Sequence, residues 1–155
     1  MPKQEPMIQK FMTIQPQSVE SGDPLDKAKE LMAKFGIRHL PVMRKGEVVG
    51  ILSDREVNLT YGLEAIEPTK LLVIDVCSEN PYIVDPEEPL RLVAQEMANK
   101  HYGSAIVVQN EKLVGIFTTV DACHALSFII EQNIEEANMK YVNYFRHSAD
   151  RREKK

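Results

Sequence analysis

The segment VGILSDRE at residues 49–56 returns as VGIFTTVD at residues 114–121, 65 positions later. The same offset holds without a gap between residues 11–57 and 76–122. Chance matches between apolar segments would seldom also keep prolines, glycines and hydroxyl residues in step. The aligned pairs include Pro16 with Pro81, Leu25 with Leu90, Met32 with Met97, Gly50 with Gly115, Ser53 with Thr118 and Glu56 with Asp121. This repeat predicts an internal duplication.

The composition is typical of a globular protein. Hydrophobic residues make up 43% and charged residues 27% of the 155 residues, and no apolar run has the length of a membrane span. The net charge of −4 argues against a surface that binds nucleic acid as a whole. Residues 1–10 lack the apolar segment of a signal peptide, so we expect a cytoplasmic protein without membrane contact.

The cysteines and histidines predict no redox or metal chemistry. Cys77 and Cys123 are far apart and each lies within an apolar pattern, which favours buried reduced thiols over a disulfide or a nucleophile. The four histidines have neither the i, i+4 spacing nor the Cys/His spacing of metal ligands. We therefore predict no metal site.

In the first copy, Asp23 is the expected N-cap of a helix whose first residue is Pro24. The apolar positions of this helix recur every three or four residues, and Gly36 is its expected end. Two short apolar runs then predict a β-hairpin, at residues 40–43 and 48–52.

The segment SDRE that follows has the form of a capping box, which predicts a helix from Asp54 to about Tyr61. Residues 63–72 then form a connector, after which the second copy repeats the order strand, helix, strand, strand, helix. We predict an α/β fold in which the two copies share a core, with the first copy and its lead-in at residues 1–66, the second copy at 67–130 and a helical extension at 131–155.

The C-terminal region from Ala125 to Phe145 contains no glycine or proline, which predicts a long helix. Its apolar residues recur in steps of four and three, which fits packing on the body, packing on a partner subunit or a dimerising zipper. The basic end, from Arg146 to Lys155, is either a solvated terminus or a contact for an acidic partner.

These motifs together resemble the CBS domain (cystathionine β-synthase motif). The residues that carry the resemblance are IRHLPV at 37–42, the two repeated segments at 49–56 and 114–121, and the acid three residues after Ser53 and after Thr118. Two copies in tandem resemble a CBS pair, or Bateman module, over roughly residues 7–130. No residues remain for an enzymatic domain, so the resemblance implies a stand-alone regulatory module and not an enzyme.

The resemblance implies two βαββα repeats related by a pseudo-twofold axis, with two clefts between them. It further implies that a cleft binds an adenosine compound (AMP, ADP, ATP or S-adenosylmethionine), that two modules form a homodimer, and that the module regulates another protein. A carboxylate and a hydroxyl residue suit the two ribose hydroxyls, and a helix N-terminus favours a phosphate. The resemblance assigns the ribose to Thr118 and Asp121 in the second copy and to Ser53 and Glu56 in the first. The candidate phosphate contacts are the N–H groups of Thr119 and Val120 and the side chains of Arg38 and Arg55, and Thr13 is a further candidate contact.

The two copies differ in this pattern. Glu56 stands where the family has Asp, whereas Arg38 and Arg55 have no basic counterpart, because Gly103 and Val120 occupy the matching positions. Helix capping alone would also explain both hydroxyl-x-x-acid segments. Two functional hypotheses compete with ligand binding. One is a ligand-free dimerisation or scaffold protein, and the other is nucleic-acid binding through the basic tail.

Overall fold

In the part of the chain that the structure describes, two β-sheets and five α-helices carry the duplicated sequence. The computed structural model describes residues 4–63, 67 and 70–150, with side chains up to Val142. A short 3-10 helix, Ile8–Lys10, precedes the other elements. These are β1 (Thr13–Ile14), β2 (Val19–Glu20), α1 (Leu25–Phe35), β3 (His39–Arg44), β4 (Glu47–Ser53), α2 (Asp54–Tyr61), α3 (Val73–Val76), β5 (Ile83–Val84), α4 (Leu90–Lys100), β6 (Ser104–Gln109), β7 (Lys112–Thr118) and α5 (Thr119–Asp150).

The predicted βαββα order is confirmed in both copies, and the duplication extends to strand register. β2, β3 and β4 form one sheet, and β1, β7, β6 and β5 form the other in that order. His39 lies opposite Ser53 in the first hairpin, and Ser104 lies opposite Thr118 in the second. The shift of strand register between Val42 and Met43 also recurs, between Val107 and Val108.

The two copies exchange their opening segments, which the sequence did not predict. β1 pairs with β7 of the second copy, where Thr13 lies opposite Ile116. In return, Ser78 of the second copy bridges to Ile51 in β4. The hydrogen bonds are reciprocal as well, since Ile8 N–H donates to Glu88 O at 2.9 Å and its counterpart Val73 N–H donates to Asp23 O at 2.9 Å.

The first core forms between α1 and the sheet below it. Leu25, Ala28 and Met32 of α1 are buried in one cluster with alternate residues of β3 and β4. The exchanged segment contributes Val73, which is fully buried in the same cluster. The first sheet therefore completes its core with a residue of the second copy.

The start of α1 differs from the prediction. Pro24 occupies the N-cap position and no side chain caps this helix. The Asp23 carboxylate instead accepts hydrogen bonds from Glu20 N–H and Lys27 Nζ, both at 2.9 Å, so it closes the preceding turn. The end of α1 agrees with the prediction, because Gly36 adopts a left-handed conformation with φ 62°.

The chain forms two compact units, Met1–Thr119 and Val120–Lys155. Among the described residues, the second unit consists of α5 beyond its first residue. α5 has 32 residues, which corresponds to about 48 Å. Several of its large apolar side chains are exposed, among them Leu126, Ile130, Ile134 and Tyr141. Within the described residues, no helix is both long enough and apolar enough to cross a bilayer.

Cys77 and Cys123 are both free, but Cys123 is exposed on α5, so its predicted burial is wrong. Part of the predicted connector, residues 64–66, 68 and 69, lies outside the described residues. The basic tail is likewise not covered, because the structure describes no side chains for residues 143–150 and does not describe residues 151–155.

Candidate functional site

The hydroxyl and acid of the first copy form a helix cap. Ser53 ends β4 and is the N-cap of α2. Ser53 N–H donates to Glu56 Oε2 at 2.7 Å, and Glu56 N–H donates to Ser53 Oγ at 3.3 Å. The predicted capping box is confirmed, and Oε2 of Glu56 is committed to it.

The two predicted arginines of the first copy lie at this same end of the hairpin. Arg38 O accepts a hydrogen bond from Asp54 N–H at 2.9 Å, which brings Arg38 beside the start of α2 and hence beside Arg55. Both side chains are exposed, and neither makes an ion pair with any residue that the structure describes. The structure thus brings Arg38, Ser53, Arg55 and Glu56 together.

The corresponding end of the second copy is built from β7 and its neighbours. Thr118 ends β7, lies opposite Ser104 and is half-buried. Thr13 lies opposite Ile116, two residues before Thr118, so its side chain is on the same face of the sheet as that of Thr118. The exchange of opening segments thereby places a hydroxyl group from the first copy on the face of the sheet that carries the Thr118 hydroxyl group.

One of the backbone N–H groups predicted to bind a phosphate already donates a hydrogen bond within the protein. Thr119 N–H donates to Gly103 O at 3.2 Å, as Asp54 N–H does to Arg38 O in the first copy. Val120 is exposed in the first turn of α5, and Asp121 is the acid of that turn. Any phosphate at this helix start therefore has to use N–H groups beyond Thr119.

His39 is a residue whose position the sequence analysis did not reveal. A Cβ added at Gly103 would lie 2.6 Å from His39 Nε2, so the imidazole of the first copy lies directly against the second. Burial lowers the pKa of His39, and the positive charge of Arg38 lowers it further, while Asp54 and Glu56 act in the opposite direction. The ring is therefore mainly neutral at pH 7.

Other chemistry is sparse among the described residues. No group of three or more His, Cys, Asp or Glu side chains in this part of the chain could hold a metal ion. A cavity of about 440 Å³ that is open to solvent lies at the opposite end of the first hairpin, beside Arg44 and Val49, and none of the predicted ligand-contact residues lines it.

The family can be assigned from these two matched halves. The CBS domain model matches residues 8–58 and 73–128, which together cover more than half of the chain. The chain therefore belongs to the CBS domain family, and it contains a pair of these domains.

Particular relatives agree with this assignment. The chain is 27% identical over 138 residues to inosine-5'-monophosphate dehydrogenase of Korarchaeum cryptofilum (strain OPF8), covering 86% of this chain but only 26% of the dehydrogenase. The structure of this chain is similar to that of a protein from Vibrio cholerae described as an acetoin utilization protein (AcuB), with a TM-score of 0.77 and 25% identity over 85% of this chain and 98% of the other.

Two solved structures of similar fold contain adenosine compounds. The CBS domain pair of protein MJ0100, in complex with 5'-methylthioadenosine and S-adenosylmethionine, has a TM-score of 0.73 and 21% identity over 80% of this chain and 98% of the other. CBSX2 in complex with AMP has a TM-score of 0.67 and 23% identity over 79% of this chain and 97% of the other.

Proposed function

We propose that this chain is a regulatory module that binds an adenosine-containing compound in a cleft between its two CBS domains and passes this signal to a partner protein. The observation that supports the proposal is that Thr13 and Thr118, from different copies, share one face of the second sheet. Thr13, from the other copy, lies on the same face of the sheet, and Asp121 follows in the first turn of α5. A ligand held there would touch both copies and so respond to their relative position.

We assign the ribose of an adenosine compound without a phosphate to Thr118 and Asp121 in preference to Ser53 and Glu56. A ribose presents two adjacent hydroxyl groups, and a carboxylate accepts hydrogen bonds from both. In the first copy, Glu56 stands where the family has Asp, and its additional methylene displaces the carboxylate from the position that Asp121 provides. Arg38 and Arg55 give that first cleft the cations for a phosphate, so we assign to it the more highly charged ligands (AMP, ADP or ATP).

The relatives support the chemical class of ligand. 5'-Methylthioadenosine, S-adenosylmethionine and AMP, bound in two similar structures, share the adenosine group and differ in charge at its 5' end. The chain spans about a quarter of the dehydrogenase that it resembles. The proposal therefore concerns binding and regulation, and assigns no catalytic step to this chain.

A second candidate function is dimerisation without any ligand. It rests on α5, where Leu126, Ile130 and Ile134 are between 48% and 59% exposed in the single chain. Large apolar side chains at helical spacing are stabilised when a second helix covers them. A homodimer is compatible with both functions, so ligand binding is what separates them.

The test is thermal unfolding with AMP, ADP, ATP, S-adenosylmethionine and 5'-methylthioadenosine. A ligand at about one hundred times its dissociation constant should stabilise the fold by about 2.7 kcal/mol, which is several degrees for a domain of this size. Asp121→Asn should remove most of this shift for an uncharged adenosine compound, while Asp75→Asn, at an acid outside both clefts, should retain it. If none of the five compounds raises the melting temperature and removal of residues 131–155 lowers the mass in solution, the dimerisation function stands instead.

A further inference from the structure

We propose a second binding site, for an amino acid with an apolar body, in the cavity at the turn end of the first hairpin. The volume of about 440 Å³ lies within the range of small-molecule sites, about 300–1,000 Å³. Its lining includes Arg44, Val49, Ile74, Glu79, Pro81 and Ile83. The proposal is independent of adenosine binding, because the cavity contains none of the residues assigned to it.

The walls of the cavity come from both copies. Arg44 ends β3 and Val49 lies in β4, whereas Ile74 and Glu79 belong to the exchanged segment of the second copy. Backbone hydrogen bonds hold the walls together, since Ile74 N–H donates to Ser21 O at 3.0 Å. The cavity is therefore part of the arrangement that joins the two domains.

Arg44 is oriented by a buried partner and retains free donors. Its Nε donates to Ser21 Oγ at 3.2 Å, and Ser21 is only 9% exposed. Ser21 N–H in turn donates to Met43 O at 2.8 Å, which fixes the serine. Because no described residue forms an ion pair with Arg44, its two Nη groups can donate to a carboxylate.

Glu79 supplies the opposite charge from the other wall. Neither an ion pair nor a hydrogen bond links its carboxylate to Arg44 or to another residue in the part of the chain that the structure describes. Val49, Ile74 and Ile83 provide apolar surface in the same cavity. One cation, one anion and an apolar lining match a molecule with a carboxylate, an ammonium group and an aliphatic body.

The duplication indicates that these charges are not a by-product of the fold. At the offset of 65 residues, Gln109 corresponds to Arg44 and Ile14 corresponds to Glu79. The same backbone in the second copy thus carries neither charge. It also provides natural replacements, Arg44→Gln and Glu79→Ile, which remove each charge with a residue that the equivalent position accepts.

The test is isothermal titration of the whole chain with L-leucine, L-isoleucine and 5-aminopentanoate, which separate an α-amino acid from a longer zwitterion. We expect saturable binding of at least one of them, weakened about tenfold or more by either Arg44→Gln or Glu79→Ile. Lys112 is an exposed cation outside the cavity, so the Lys112→Gln variant should bind these amino acids with the affinity of the unchanged chain. Leucinamide, which lacks the carboxylate, should bind as weakly as leucine binds to Arg44→Gln.

Two results would overturn the proposal. One is the absence of saturable binding for all three amino acids up to about 10 mM, where even a weak site of millimolar dissociation constant fills. The other is binding that neither charge removal weakens, with far-ultraviolet circular dichroism showing both variants folded. Amide shifts in the NMR spectrum supply the matching positive result, since ligand at this site should move Val49 and Ile74 more than Thr118.

Discussion

Ile51 and Ser78 exchange both of their backbone hydrogen bonds, Ile51 N–H to Ser78 O at 3.0 Å and Ser78 N–H to Ile51 O at 2.9 Å. This pair joins β4, at the edge of the first sheet, to the opening segment of the second copy. Thr13 and Ile116 are the equivalent pair on the other side. The two CBS domains are therefore connected through strand pairing as well as side-chain packing, and neither sheet is complete without the other copy.

The closeness of this pairing predicts a graded effect of glycine substitutions. A Cβ at Gly50 would lie 2.8 Å from the backbone oxygen of Ser78, whereas one at Gly115 would meet the flexible thioether of Met12. Gly50→Ala should therefore lower the free energy of unfolding by about 1–3 kcal/mol, and Gly115→Ala by less. Gly22→Ala is the control, because its Cβ would meet no atom within 4 Å. Urea unfolding measures all three, and equal stability of Gly50→Ala and Gly22→Ala would contradict the close approach.

The cap of α2 gives a prediction of local origin. Ser53→Ala removes the side-chain acceptor for Glu56 N–H and should cost about 1 kcal/mol. Asn58→Ala, at an exposed position of the same helix, should leave stability unchanged or raise it slightly. Urea unfolding of both variants is the measurement. If Ser53→Ala is as stable as the unchanged chain, the capping box does not hold this helix start.

The sequence predicted those features that depend on neighbouring residues. The capping box at Ser53, the left-handed Gly36 and both hairpins are each specified within a few positions. The duplication follows because a repeated segment folds in the same way twice. Asp23 is an exception, because its carboxylate could accept a hydrogen bond either from Glu20 N–H in the turn or from the N-terminus of α1. The pattern of residues does not show which of these two donors it binds.

The exchange of opening segments could not be predicted in the same way. A two-residue strand such as β1 carries too little pattern to say which of two similar sheets it joins. A usable signal was present at Gly50 and Gly115, because a glycine inside an apolar strand often marks a close backbone approach. The contact of His39 with Gly103 depends on this association of the copies, and so it was also missed.

Asp23 predicts a stability change at acid pH. Burial opposes its ionisation, but hydrogen bonds from Lys27 and Glu20 N–H outweigh this and lower its pKa below the usual 3.8. The carboxylate therefore stabilises the fold above pH 3.8, and this contribution is lost as the pH falls through the lower pKa of the folded state. Asp23→Asn should lose about 1 kcal/mol or less at pH 7 and little at pH 2.

The control for this experiment is Glu30→Gln. Glu30 is an exposed carboxylate on α1 for which the structure describes no hydrogen bond or ion pair. Its replacement should change stability equally little at both pH values. A deficit of Asp23→Asn that is the same at pH 7 and at pH 2 would show that the charge of Asp23 has no part in closing the turn.

His39 predicts pH dependence in a different range. Its pKa is lowered from 6.5, chiefly by burial, so the unfolded chain binds a proton more readily than the folded one. Stability should then be full above pH 6.5 and fall as the pH decreases towards the folded-state pKa. His39→Gln should flatten this slope, whereas His124→Gln, at an exposed position of α5, should not. Urea unfolding at intervals between about pH 5 and pH 7 gives the slope, and an unaltered slope in His39→Gln would refute this role.

The exposed face of α5 predicts association of two chains. Leu126, Ile130 and Ile134 recur every four residues and are 59%, 48% and 55% exposed. If a second copy covers them, Ile130→Lys with Ile134→Lys should halve the mass in solution, because each lysine would bury a charge at the contact. Glu131→Lys with Glu135→Lys changes the charge of the same helix more strongly but replaces exposed acids, so the mass should stay that of the unchanged chain. Light scattering after size exclusion measures the mass. The prediction is contradicted if the unchanged chain is a monomer, or if the dimer survives both isoleucine substitutions. In either case this face of α5 does not join two copies, and a partner protein remains as the molecule that could cover the exposed isoleucines.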